Sequence, residues 1–262
     1  MSLKGKVVIV TGASRGIGES IAEAFAADGA SVVVAARTEA PGGALSGTIH
    51  ETVDKIKRRG GSALAVRCDL TKDTEVEALA QRAQDAFGRI DVLVNNAGVN
   101  FLSRFVDIPM KRWDLVLNVN LRGVVLCAKA VLPIMVRQRS GSIINISSMW
   151  SHVATPGNLA YGVSKAAIER FTIGLAEEVK HHGIAVNCIM PAGGVLTEGL
   201  QKAYKADMSH WTGAEAFAQS VLRLAAMPPT YTGHVLNDQE FIAYTEFQQI
   251  APPEQTSIHT NP

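Results

Sequence analysis

Three observations predict one doubly wound α/β domain. Short, wholly apolar runs recur along the chain, helical apolar periodicity fills the stretches between them, and a glycine cluster stands at the first junction of the two. A run that is apolar throughout fits a strand buried on both faces, as a parallel sheet covered by helices requires. Lys6–Thr11 is the first such run. Ser20–Asp28 follows with Ile21, Ala24 and Phe25 at helical spacing, closed by Gly29, and Ser31–Ala36 is the second strand. Strand, helix and strand within about thirty residues is the unit that builds a parallel sheet.

The alternation then continues. Ala63–Cys68 reads as a strand, Thr74–Phe87 as a helix, Ile90–Val94 as a strand and Trp113–Arg139 as one long helix. Gly141–Ile146 is the next strand, Tyr161–His181 a helix and Ile184–Ile189 a sixth strand. Alternation sustained this far argues for one domain, taken as residues 1–250. The polar, proline-bearing tail 251–262 is expected to fray. Two segments break the rhythm. Thr38–Gly47 is glycine-rich and punctuated by Pro41, so it reads as an inserted loop. Pro191–Thr212 has Gly193-Gly194, few periodic signals and scattered aromatics, and residues 192–212 are read as a substrate lid.

Composition narrows the function. In 262 residues, 47% are hydrophobic and 19% charged, which supplies a core and excludes global disorder. Lys plus Arg is 25 against 24 for Asp plus Glu, a balance without the basic footprint of a nucleic-acid binder. Cys68, Cys127 and Cys188 lie far apart in apolar stretches with no CxxC pair, which predicts reduced core thiols and neither a disulfide nor a metal site. No apolar run reaches about 18 residues and the first residues do not resemble a signal peptide, so the expectation is a cytoplasmic protein with no membrane partner.

Thr11-Gly-Ala-Ser-Arg-Gly-Ile-Gly18 joins the first strand to the first helix. Glycines there let backbone approach a pyrophosphate, which the amides and dipole of a helix N-terminus favour. Gly12, Ser14, Arg15, Gly16, Ile17 and Gly18 are the candidate cradle. After the second strand, an acidic residue would hold a ribose 2′-hydroxyl and an arginine a 2′-phosphate. The chain has Ala36-Arg37, with Arg15 in the glycine loop, so NADP(H) is favoured and NAD(H) stays possible. Tyr161 and Lys165 are four apart and share one helix face. A nearby ammonium lowers a phenol's pKa, which makes Tyr161 a candidate acid/base. Ser148 ends the strand from Gly141, where groups line the ligand crevice of an open parallel sheet.

These motifs, with Asn95-Asn-Ala-Gly98 and Asn120 in the same order, resemble the short-chain dehydrogenase/reductase family, a Rossmann-type fold. The resemblance covers about Lys4 to Thr197, and Tyr231–Leu236 resembles that fold's last strand. It implies that Ser148 polarises a carbonyl, Tyr161 passes a proton, Lys165 binds the nicotinamide ribose, and Asn120 holds a water linked to Lys165. It implies further that Asp69, with Leu70 beside it, contacts adenine, and that Asn96, Ala97 and Gly98 support sheet and cofactor. Asn95–Gly98 suits a purely structural role equally well. Pro191, Val195 and Thr197 match the segment that reaches the carboxamide and phosphates, although Ala192 replaces a family glycine and one residue is added. The 38–47 insertion and Gly47-Thr-Ile-His50 resemble the hydroxysteroid dehydrogenase-like branch, which fixes no substrate.

The reading is therefore an NADP(H)-dependent oxidoreductase that interconverts a secondary alcohol and a ketone. Asn100-Phe101, Trp150, His152 and the lid would line a pocket for a hydrophobic or cyclic substrate. A nucleotide-binding protein without turnover and a non-redox reaction on the same fold are the alternatives. The helices from Trp113 and Tyr161 are apolar over more than one face, which fits a homodimer or homotetramer as the family implies, or burial against their own sheet.

Overall fold

The computed structural model describes residues 3–43, 45–203 and 211–250. The strands are β1 (Val7–Thr11), β2 (Ser31–Ala36), β3 (Ser62–Arg67), β4 (Val92–Asn95), β5 (Gly141–Ile146), β6 (Ile184–Met190) and β7 (Val235–Asn237). They form one parallel sheet in the order β3-β2-β1-β4-β5-β6-β7. The helices are α1 (Gly16–Ala27), α2 (Ile49–Arg58), α3 (Asp73–Phe87), α4 (Met110–Leu117), α5 (Gly123–Gln138), α6 (Leu159–Val179), α7 (Glu198–Ala203), α8 (Ala214–Ala225) and α9 (Asp238–Ile250).

Strand alternation sorts the core into two layers. Val8 and Val10 of β1 and Val32 and Val34 of β2 face a layer closed by Phe25, Ile56, Phe217, Val221 and Phe241. Ile9, Val33, Leu93, Ile143 and Val186 face the opposite layer, closed by Leu79, Val131, Met135 and Val179. Every residue of β1, β4 and β6 is buried, the reason these strands read as continuous apolar runs. Helix ends follow local chemistry. Thr48 and Glu51 form a reciprocal capping box at α2. Gly88 ends α3 in the left-handed conformation at φ 75°.

Several boundaries differ from the sequence expectation. Helix α1 starts at Gly16, not Ser20, because the last glycines of the loop already form its first turn. The long helix expected from Trp113 runs from Met110 to Gln138 and is interrupted at Asn118–Arg122 by a π-helical turn. By length and composition Met110–Gln138 is apolar enough to cross a bilayer. Of its side chains, Val116, Val124, Cys127, Val131 and Met135 are buried, and Cys127, Val131 and Met135 pack against the sheet. Helices α2, α7, α8 and α9 fall outside the predicted elements. The three cysteines are free and buried. Residues 251–262, and 204–210 of the expected lid, lie outside the described residues.

Candidate active site

The crevice lies at the carboxyl ends of β1 and β4, where the sheet order reverses. Gly12 sits at φ +66°, and a Cβ there would lie 2.7 Å from Ala97 Cα. At Gly18 a Cβ would come within 2.4 Å of both the Gly12 carbonyl oxygen and Asn96 Nδ2. Only bare backbone fits, and it leaves the loop amides and the α1 N-terminus uncovered by side chains at these positions. Asn96 fixes the arrangement: its Nδ2 donates to the Thr11 carbonyl (2.9 Å), while the Thr11 hydroxyl accepts the Asn96 and Ala97 amides at 3.1 and 3.2 Å. Ser14 is buried and Ile17 packs against the core. This bare cradle fits a dinucleotide pyrophosphate.

Beside it, Gly12, Ala36, Arg37, Asp69, Leu70, Ala97, Gly98 and Val119 line a cleft of about 80 Å³. The Asp69 carboxylate accepts the Thr71 amide (3.0 Å) and hydroxyl (2.8 Å). Burial works to raise its pKa, but these bonds and the charges of Arg37 and Lys72 outweigh it, and the net shift is downward. Arg37 is exposed at the rim, and Arg15 donates to Thr38 Oγ1 and the Gly47 carbonyl, each at 2.9 Å. Of the two arginines, Arg15 thus ties the insertion to the glycine loop and Arg37 stands over the cleft.

Ser148, Tyr161 and Lys165 come together at the end of β5. Ser148 lies close enough to Tyr161 to act on its phenol, and the Lys165 ammonium donates to the Ile146 carbonyl at 2.7 Å. Its Nζ lies 5.4 Å from the Tyr161 ring centroid. Burial pushes the phenol up to about 12, and Ser148 only partly offsets this. The net shift of the phenol is upward and set by burial, whereas the sequence alone predicts a phenol lowered by Lys165. Burial pushes Lys165 down to about 8, against the opposing effects of Cys188 and Glu169. Asn120 sits in the π-helical turn. Its Oδ1 accepts the Val99 amide (2.8 Å), and its Nδ2 donates to the Val99 carbonyl and to Ser164 Oγ, both at 3.0 Å. Gly98 keeps the space between Asn120 and Lys165 clear: a Cβ there would sit 3.5 Å from Asn120 Oδ1 and 3.7 Å from Lys165 Nζ.

Sequence reasoning missed the next group along α6. Glu169 is buried, and its Oε1 accepts the hydroxyls of Ser147 and Ser151, each at 2.5 Å. Its Oε2 pairs with His152 Nε2 at 2.9 Å, so His152 is anchored from inside while half of it remains exposed. The available signal was spacing, since Glu169 is one turn beyond Lys165 on the face that holds Tyr161. A second missed contact crosses the crevice. Ser46 of the insertion bonds through its amide (2.9 Å) and its hydroxyl to Glu198 of α7.

Beside Tyr161, Trp150 meets its ring edge to face with centroids 5.8 Å apart. Asn100 donates to Asn158 Oδ1 (2.7 Å), and Arg112 lies over the Phe101 ring. After Pro191, Val195 is buried and bridges to Thr212, and the Leu196 amide donates to the Thr212 carbonyl at 2.8 Å. The Trp211 ring lies against Gly194, where a Cβ would come within 2.2 Å of it. Thr197 reaches the glycine loop, its Cγ2 3.3 Å from where a Gly16 Cβ would be. Among the described residues no three His, Cys, Asp or Glu side chains gather as a metal site.

Residues 6–208 match the profile of the family described as short chain dehydrogenase. Hydroxysteroid dehydrogenase-like protein 2 of Homo sapiens is 35% identical over 249 residues, covering 92% of this chain and 58% of that protein. The chain therefore spans less than two thirds of that relative's length. The crystal structure of a putative dehydrogenase from Xanthomonas campestris superposes with a TM-score of 0.86 at 32% identity, covering 94% of this chain and 92% of that one. A metagenomic short-chain oxidoreductase in complex with NADP gives a TM-score of 0.77 at 31% identity, covering 90% and 98%.

Proposed function

This chain belongs to the short-chain dehydrogenase family, and on that premise we propose that it is an NADP(H)-dependent oxidoreductase interconverting a secondary alcohol and a ketone. The bound nicotinamide nucleotide would supply the hydride chemistry. Gly12, Ser14, Arg15, Gly16, Ile17 and Gly18 would hold its pyrophosphate, and Asp69 and Leu70 its adenine. Arg37 would meet a 2′-phosphate from the rim of the cleft. Asn96, Ala97, Gly98, Pro191, Val195 and Thr197 would bound the nicotinamide end.

The observation that carries the reading is Ser148 acting on the Tyr161 phenol, with Lys165 one turn along the same helix and its Nζ 5.4 Å from the Tyr161 ring centroid. With its phenol pushed up to about 12, Tyr161 holds its proton at neutral pH and is set to donate it to a substrate oxygen. Ser148 can donate to the same oxygen and orient it. Lys165, pushed down to about 8, is still charged at neutral pH and stabilises the phenolate that forms. Asn120, bonded to Val99 and Ser164, fixes the wall beside Lys165 and is assigned the water of the proton path. Trp150, His152 and Phe101 would bound a pocket for a hydrophobic or cyclic ketone, with the described parts of the expected lid, 192–203 and 211–212, beside it.

Two further parts belong to the proposal. Leu159, Val163 and Ile173 on α6 and Met110 on α4 are exposed apolar side chains, which supports pairing of copies in a homodimer or homotetramer. Balanced charge and buried free thiols support a cytoplasmic enzyme.

The test is NADPH oxidation over a panel of cyclic, aromatic and aliphatic ketones, with NADH as control. Wild type should turn over with NADPH, and Tyr161→Phe should lose about 10²–10⁴-fold in kcat while NADPH fluorescence titrates as in wild type. Wild type that binds NADPH and reduces no ketone would make this a nucleotide-binding protein or a non-redox enzyme.

A further inference from the structure

Helix α6 presents a stripe of three polar side chains, Tyr161, Lys165 and Glu169, spaced four apart and so aligned on one face. Each grips a successive part of the segment that carries Ser148. Tyr161 stands beside Ser148 itself, Lys165 bonds the Ile146 carbonyl, and Glu169 pairs with Ser147, Ser151 and His152. A buried carboxylate is costly unless it is paired and hydrogen-bonded, and here hydroxyl donors take one oxygen and an imidazole the other. The bonds to residues 147, 151 and 152 bracket Ser148 and Trp150, so movement of Glu169 would move the hydroxyl that meets the substrate and the ring that packs on Tyr161.

We propose that Glu169 is a positioning residue that fixes the Ser147–His152 segment and supplies the negative charge that keeps Lys165 in its ammonium form. This rests on the reading of Tyr161, Ser148 and Lys165 given above. Among the described residues, the titratable groups that face Lys165 are these. Tyr161 and Glu169 face it from its own helix and Cys188 from β6. The Cys188 thiol, pushed up to about 12 by burial, is neutral where Lys165 titrates, which leaves Glu169 as the charged neighbour among these groups. Glu169 in turn faces Ser147 from the end of β5, and Ser151 and His152 from the turn that follows. Burial drives Lys165 toward the neutral amine, and the carboxylate opposes that.

The experiment reads Lys165 directly. Protein labelled with ¹³C at lysine Cε is titrated from pH 6 to 10 by NMR, with the Lys165 signal assigned by its loss in Lys165→Met. Glu169→Gln, isosteric and still able to accept from both serines, should lower the Lys165 midpoint by about one pH unit, a tenfold change in its acid dissociation constant. Glu169→Asp, which keeps the charge, should restore most of it. In turnover the alkaline limb of kcat should move down with the Gln variant. An unchanged Lys165 midpoint in Glu169→Gln would overturn the electrostatic role. If that variant does not fold, Ser151→Ala tests the anchoring: kcat should fall several-fold at unchanged NADPH affinity, and an unchanged kcat would overturn it. The NMR titration needs no substrate, so wild type without ketone turnover but with a Glu169-dependent Lys165 would sink the reductase reading alone.

Discussion

At the end of β1 the chain can close on its neighbours because side chains are missing, whereas at the end of β5 it is held by side chains that are buried. A single Cβ at Gly12 would lie 2.7 Å from Ala97 Cα. Around β5 the polar groups pair in sequence instead. Asn95 Nδ2 donates to Asn145 Oδ1 (2.9 Å), Asn145 Nδ2 to Thr172 Oγ1 (2.8 Å), and that hydroxyl to the Ile168 carbonyl (2.9 Å). The β1 side is therefore damaged by adding atoms and the β5 side by removing a hydrogen-bonding group. Cradle and clamp meet at Gly98, which keeps the space between Asn120 and Lys165 open.

The comparison can be broken most sharply at Gly12. Gly12→Ala adds a Cβ against backbone and forces a positive φ on alanine, and should cost about 2–4 kcal/mol of stability together with most NADPH binding. Chemical denaturation and fluorescence titration measure the two losses, and intact binding would show that the loop yields more than its contacts suggest. Asn145→Ala attacks the other side. It leaves Asn95 Nδ2 without its acceptor in a buried site and should cost about 1–3 kcal/mol. NADPH affinity should hold in the fraction that stays folded, so equal damage to binding would mean that the two sides are not separately built. Arg37→Ala is the mildest change. It removes one exposed charge at the cleft rim and should weaken NADPH about tenfold, on the order of 1.4 kcal/mol, as loss of a phosphate partner would. NADH affinity serves as the internal reference, and equal loss of both nucleotides would remove Arg37 from 2′-phosphate recognition.

The same division explains what the chain revealed before its structure was known. Gly12, Gly16 and Gly18 were legible because a sterically bare turn needs residues without Cβ at fixed short intervals. Tyr161 and Lys165 were legible because a helix turns their spacing into proximity. The two-layer sheet was legible in β1, β4 and β6, whose burial on both faces leaves continuous apolar runs. Glu169 was hidden because its partners arrive from another element: Ser147, Ser151 and His152 lie across a loop whose path no local pattern specifies. Glu198 was hidden for the same reason, since it finds Ser46 only when the insertion and α7 meet over the crevice. The shifted start of α1 and the π-helical turn at Asn120 are cases in which tertiary packing, not propensity, fixed the boundary. The effect of burial on the Tyr161 phenol was hidden because sequence shows a charged neighbour but not how far a side chain leaves solvent.

The strand order carries a consequence for how the molecule comes to exist in time. Val8 pairs with Val32 on one side and with Val92 on the other. The first partner follows soon after β1 along the chain. The second arrives only after α2, β3 and α3 have been threaded past, through a loop whose closure entropy grows with its length. Contacts of that separation make folding slow. The β1–β4 seam is where the Thr11 hydroxyl receives the Asn96 and Ala97 amides. The cradle is thus not a local motif that waits for the rest of the protein. It is completed by the long-range closure that joins the two halves of the sheet, so the first three strands alone would carry the glycines without the crevice.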